Sequence, residues 1–148
     1  MRKLTIKRSG LGIYGNFGAV KIFVEDNSGK PDLVIKGVPC RFLGLVRGGE
    51  TETFEISEDK TKVFAIMSEM YRNHKYDYRI IEAGSEDVVL GGKSTYSKLL
   101  GYMFEFDGDA PPEADADYNK WKGIMIGVYI GTIVVSIAIG IVLAKFLK

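Results

Sequence analysis

The chain has 148 residues, with 20 Lys and Arg, 19 Asp and Glu and one His, for a net charge of +1. So balanced a chain gives no electrostatic case for binding nucleic acid. A single cysteine, Cys40, and a single histidine, His74, exclude an intramolecular disulfide and the usual zinc sites, and suit a reducing compartment.

The charge is segregated along the chain. Residues 1–106 carry 16 Lys and Arg against 14 Asp and Glu; residues 107–119 carry five acids and no base; residues 120–148 carry four lysines and no acid. Residues 4–8 alternate apolar and polar, which predicts a strand with one buried face. Gly10-Leu-Gly12-Ile-Tyr-Gly15 then matches the G-x-G-x-x-G phosphate loop. That motif needs a helix N-terminus behind it. Here a strand-like run, AVKIFVE at 19–25, follows, so the glycines are expected to form a flexible or bulged connection between paired strands.

Residues 26–32 are dense in turn formers, and short strands are expected at 33–36 and 41–46. Arg47-Gly-Gly-Glu50 reads as a tight hairpin turn into a strand at 51–57. Residues 62–68, KVFAIMS, are apolar on both faces and predict a central strand. A polar loop at 70–75, strands at 76–83 and 88–90, one or two helical turns at 94–100 and a last strand at 102–106 complete the domain. About eight short strands with frequent turns predict an antiparallel β-sandwich or small barrel over 1–106.

Residues 107–119, DGDAPPEADADYN, hold five acids, two prolines and no bulky aliphatic residue, which predicts a disordered acidic linker. Asp115, Asp117 and Asn119 open like a calcium loop, but Lys120 and Ile126 stand where Gly and Glu are required. Residues 124–144 are 21 uncharged, mostly apolar residues. As a helix they would be ~31 Å long, matching the ~30 Å bilayer core. Trp121 and Lys122 at one end, with Lys145 and Lys148 at the other, are placed as interfacial anchors. Two lysines on each side leave orientation open. Residues 1–10 lack the apolar run of a signal peptide, and four residues follow the span, so a tail-anchored protein of the cell membrane with a cytoplasmic domain is expected.

Within the span, Gly123, Gly127 and Gly131 repeat every four residues, and Thr132, Ser136 and Gly140 form a second stripe. Such stripes let another helix approach closely, which predicts a homo-oligomer or a larger membrane complex. Tyr71, Arg72, Tyr76, Tyr78 and Arg79 interleave bases with aromatics. That pattern suits a protein-binding patch, since Tyr and Arg favour interfaces. No catalytic constellation accompanies His74 or Cys40, so neither an enzyme nor a cofactor is expected.

Leu4-Thr-Ile-Lys-Arg8, Lys21-Ile-Phe-Val-Glu-Asp26, Ile35-Lys-Gly-Val-Pro-Cys-Arg41, Thr53-Phe-Glu-Ile56 and Lys62-Val-Phe64 occur in an order that resembles small bacterial single-span membrane proteins with an N-terminal β-sandwich, distantly similar to PEGA-type surface domains. The resemblance implies a fold and a bacterial source, and transfers no active site. The expected function is a membrane-tethered, non-enzymatic interaction module, an accessory or scaffolding subunit. The alternative is a small-ligand sensor signalling through the helix.

Overall fold

The structure, a computed structural model, describes residues 1–10, 18–97 and 101–147. Its elements in order are β1 (Arg2–Arg8), β2 (Val20–Glu25), β3 (Leu33–Ile35), β4 (Val38–Val46), β5 (Thr51–Ile56), β6 (Thr61–Ile66), a 3-10 turn (Glu69–Tyr71), β7 (Tyr76–Ile81), β8 (Val88–Ser97), β9 (Gly101–Phe106) and one helix, α1 (Pro112–Phe146). The strands form two sheets, in the orders β5-β1-β8-β9 and β3-β4-β2-β6-β7. Every pairing is antiparallel except β1 with β8. The chain is thus a mainly β sandwich followed by one long apolar helix.

The core between the sheets follows the strand alternation. Leu4 and Ile6 of β1 meet Val20, Ile22 and Val24 of β2, Val63 and Ala65 of β6, and Phe104 and Phe106 of β9. A second cluster lies on the opposite face of the five-stranded sheet. It joins Phe23, Phe64, Ile66, Tyr76 and Tyr78, and is closed by Ile35 and Cys40 of the β3–β4 hairpin and Ala114 of α1. This is why β6 reads as apolar on both faces: it has a core on each side. The hairpin turns on Lys36 and Gly37, both at positive φ, as a two-residue primed turn requires.

Several local expectations are corrected. β1 and β2 belong to different sheets, so the glycine-rich stretch does not join paired strands; its residues 11–17, Gly12 and Gly15 included, lie outside the described residues. The Arg47–Glu50 turn closes with Glu50 N–H donating to the Arg47 carbonyl (3.1 Å), yet it carries the chain from one sheet to the other and forms no hairpin. Residues 94–97 are strand, not helix: β8 continues through them, pairing Ser94 with Phe104 and Thr95 with Met103. Residues 98–100 lie outside the described residues.

The largest correction concerns the linker. Residues 112–119, expected to be disordered, are the opening turns of α1. Pro112 stands at the first helical position, where its missing N–H is harmless, and Glu113 and Asp115 lie in the first turn, where the helix dipole favours acids. A helix already formed by the apolar span extends backwards without a new nucleus. The 35 residues of α1 rise about 52 Å. It is the one helix, among the described residues, long and apolar enough to cross a membrane.

Candidate functional site

The most densely built polar site is the junction where α1 leaves the domain. Glu113, Asp117 and Trp121 are spaced by four and share one helical face. That face runs antiparallel along β7. The Tyr78 hydroxyl donates to Glu113, and the Tyr76 hydroxyl donates to Asp117 at 2.7 Å. Lys36, at the tip of the β3–β4 hairpin, adds an ion pair to Asp117 at 2.9 Å. The tip is itself anchored: Lys36 N–H donates to the Asn73 side chain, and Arg72 donates to the Val34 carbonyl.

One turn further on, Trp121 is 7% exposed. It packs edge-on against Tyr71 at 5.6 Å between centroids and stacks on Tyr118 at 6.2 Å. The Lys75 ammonium lies 5.1 Å from the Trp121 ring and 5.5 Å from the Tyr71 ring, within cation–π range.

Burial shapes the electrostatics of this face. It raises the Tyr78 phenol to about 12, helped by the bond to Glu113. It raises Tyr76 further, helped by the bond to Asp117. The Lys75 ammonium is shifted down by burial. Both phenols keep their protons at neutral pH, so the site presents phenols as donors and carboxylates as acceptors. That chemistry suits fastening rather than proton transfer.

Behind β7, Asp77 accepts from the Phe106 and Tyr78 amides and pairs with Arg79 at 2.8 Å. Burial raises its carboxyl above the ordinary value against the pull of those partners. Arg79 also donates to the carbonyls of Phe106, Asp107 and Gly108. It thereby clamps the segment that leads from β9 into α1.

The predicted patch of Tyr71, Arg72, Tyr76, Tyr78 and Arg79 is therefore brought together, but around the chain's own helix. Tyr76, Tyr78 and Arg79 are engaged inside the molecule and are not an open face for a partner. Of the predicted anchors, Trp121 is packed against the domain, Lys122 and Lys145 are exposed, and Lys148 lies outside the described residues. Apart from the helix's own neighbouring backbone, nothing among the described residues comes within 4 Å of a Cβ placed on Gly123, Gly127, Gly131 or Gly140. Thr132 and Ser136 donate to the carbonyls of Val128 and Thr132, each at 2.8 Å. Their hydroxyls are thus satisfied within the helix.

Sequence reasoning missed Lys36, Lys75, Glu113, Asp117 and Tyr118. The signal was present in the fourfold spacing of Glu113, Asp117 and Trp121 behind a proline. Cys40 is buried, with its thiol raised to about 11 by desolvation, which fits a packing residue. Among the described residues no group of three His, Cys, Asp or Glu side chains is placed to hold a metal ion. No family model, curated protein or solved structure matches the chain.

Proposed function

We propose that this is a single-pass membrane protein whose β domain is fastened to the root of its own transmembrane helix and serves as a non-enzymatic interaction module. Such a module would be an accessory or scaffolding subunit of a membrane assembly. The observation that carries the reading is the contrast within α1. Its lead-in is packed on the domain, whereas the apolar window beyond is 0% buried against the chain. Twenty-one uncharged, mostly apolar residues left bare call for lipid or another helix.

The domain supports a binding role better than a catalytic one. Its core is filled by side chains such as Leu4, Ile6, Ile22 and Val63, all fully buried. With Tyr76, Tyr78 and Arg79 engaged internally, the surface we assign to a protein partner is the outer edge of β5. Among the described residues β5 pairs only with β1, so its other edge is open to an added strand. Helix association through the Gly123–Gly127–Gly131 stripe would rest on dispersion, since the neighbouring hydroxyls are satisfied.

Purification in mild detergent followed by mass determination tests this reading. The expected result is a mass above the monomer that falls to the monomer in Gly127→Ile. A wild-type monomer overturns the assembly role.

A ligand-sensing reading has one observation in its favour. A cleft of about 260 Å³, lined by Lys36, Lys62, Tyr76, Tyr78 and Glu113 among others, opens beside the junction. A ligand there would act directly on the fastening of the helix.

A further inference from the structure

The 3-10 turn Glu69–Tyr71 presents a surface that the fastening does not explain. Met70 is 78% exposed, the most exposed large apolar side chain of the β domain among the described residues. A single exposed apolar residue is ordinary by itself; what singles this one out is its place beside the root of α1. The next residue, Tyr71, touches Trp121, and Trp121 stands three residues before the uncharged run begins at Ile124. At ~1.5 Å per residue, Trp121 lies ~4.5 Å above the hydrocarbon boundary if the helix stands upright, and Tyr71 is in ring contact with it at 5.6 Å. The headgroup layer on each side of a bilayer is ~5–7 Å thick. The turn thus falls inside that layer without any rearrangement.

We infer that the turn Glu69–Tyr71 is a lipid-contact surface, with Met70 seated among phospholipid headgroups and the upper acyl chains. The inference rests on α1 spanning a bilayer. Its occupant is a phospholipid surface because the turn is continuous, through Tyr71 and Trp121, with the segment that enters the bilayer.

The local charge agrees with this placement. Glu69, the acid of the turn, is paired with Lys21 at 2.6 Å, while Lys120 and Lys122 stand exposed on the adjacent helix. Exposed lysines beside the turn suit lipid phosphate, and the turn's own acid is paired.

A mechanical consequence follows. A helix tilt of ~20° moves a point ~10 Å off the axis by ~3.5 Å along the normal. Tilt towards the turn brings it to the acyl boundary, and tilt away lifts it out of the headgroups. An apolar residue on one side of the root therefore selects the direction of tilt, and with it the pose of the domain over the membrane.

The test uses the full chain in phosphatidylcholine nanodiscs, with an environment-sensitive fluorophore on Met70→Cys, Val134→Cys or Glu86→Cys, and a nitroxide at acyl carbon 5 of the lipid. Buried Cys40 serves as the unlabelled control in the parent chain. Val134 lies in the middle of the apolar run, and Glu86 is exposed in the β7–β8 connection, at the other end of β7 from the junction. The expected result is strong quenching at 134, loss of about half the emission at 70, and none at 86, as depth in the bilayer dictates. Quenching at 134 with position 70 as bright as position 86 overturns the inference while leaving the span intact. No quenching at 134 overturns the span and the inference together.

Discussion

Residues 112–121 and 124–144 are one unbroken helix, yet what holds each half differs completely. The first half is polar, and it is fixed by named side chains: Glu113 to Tyr78, Asp117 to Tyr76 and Lys36, Trp121 to Tyr71 and Lys75. The second half is apolar, and its apolar window is 0% buried against the described residues. A polar helix half is ordered by specific contacts because it has little apolar surface to bury. An apolar half needs no specific contact if its surroundings are apolar too. The two halves should therefore fail in different ways.

The largest effect is expected in the bare half. Val134→Arg combined with Ile137→Arg places two charges near the middle of the span, at about 3 kcal/mol each on insertion scales. Alkaline carbonate should release this variant from membranes that retain the parent chain. Full retention would mean that the second half does not depend on an apolar solvent.

Next in size is Arg79→Ala, which acts on the entry to the docked half. It removes the cation from Asp77, whose side chain is 1% exposed, and frees three carbonyls of residues 106–108. Breaking a buried pair on one side is expected to cost about 3–5 kcal/mol. Thermal unfolding in detergent should show a drop of many degrees. A change within a degree would return Arg79 to the surface role its sequence context suggested.

The docked half itself is tested by Tyr76→Phe with Tyr78→Phe. Both rings stay and only the hydroxyls go. Two bonds to carboxylates, both only partly buried, are together worth about 2–3 kcal/mol. Amide exchange across residues 116–121 should quicken by one to two orders of magnitude, while exchange across residues 124–144 should not change.

Alkali should act on the same contacts. The phenol of Tyr78 is raised to about 12 in the folded chain, against ~10 when free. The folded state therefore holds a proton that the released state gives up between these values. Its stabilising contribution is complete below pH ~10 and is lost as the pH rises through about 12. The near-ultraviolet dichroism of Trp121, the chain's only tryptophan, should fall over that window, and less steeply in Tyr78→Phe.

What was legible in the sequence divides along the same line. Signals carried by one residue type repeated in register were readable: the alternation of β1, the doubly apolar β6 and the uncharged run after Trp121. Signals carried by two distant segments were not. The acidic lead-in looks disordered when judged by its own aliphatic content, because the groups that order it belong to β7 and the β3–β4 turn. Tyr76 and Tyr78 look like a partner-binding face for the converse reason, since their carboxylate acceptors lie 35 and 41 residues away. Sheet membership was hidden as well. A tight turn such as Arg47–Glu50 serves a hairpin or a crossover equally, and only the burial on either side decides which.

The smallest expected effect is also the sharpest test of what fastens the helix. Lys36→Met keeps the apolar stem of the side chain and removes the ion pair to Asp117, whose two side chains are 43% and 19% exposed. Pairs of that exposure are worth about 0–1 kcal/mol, because water and salt screen them. Exchange across 116–121 should rise no more than about fivefold, and high salt should reproduce most of the change in the parent chain. If the lysine variant instead matched the double tyrosine variant, charge would hold the lead-in and the phenols would merely fill space. Salt would then loosen the lead-in as far as the double tyrosine substitution does, leaving Trp121 against Tyr71 as its remaining hold on the domain.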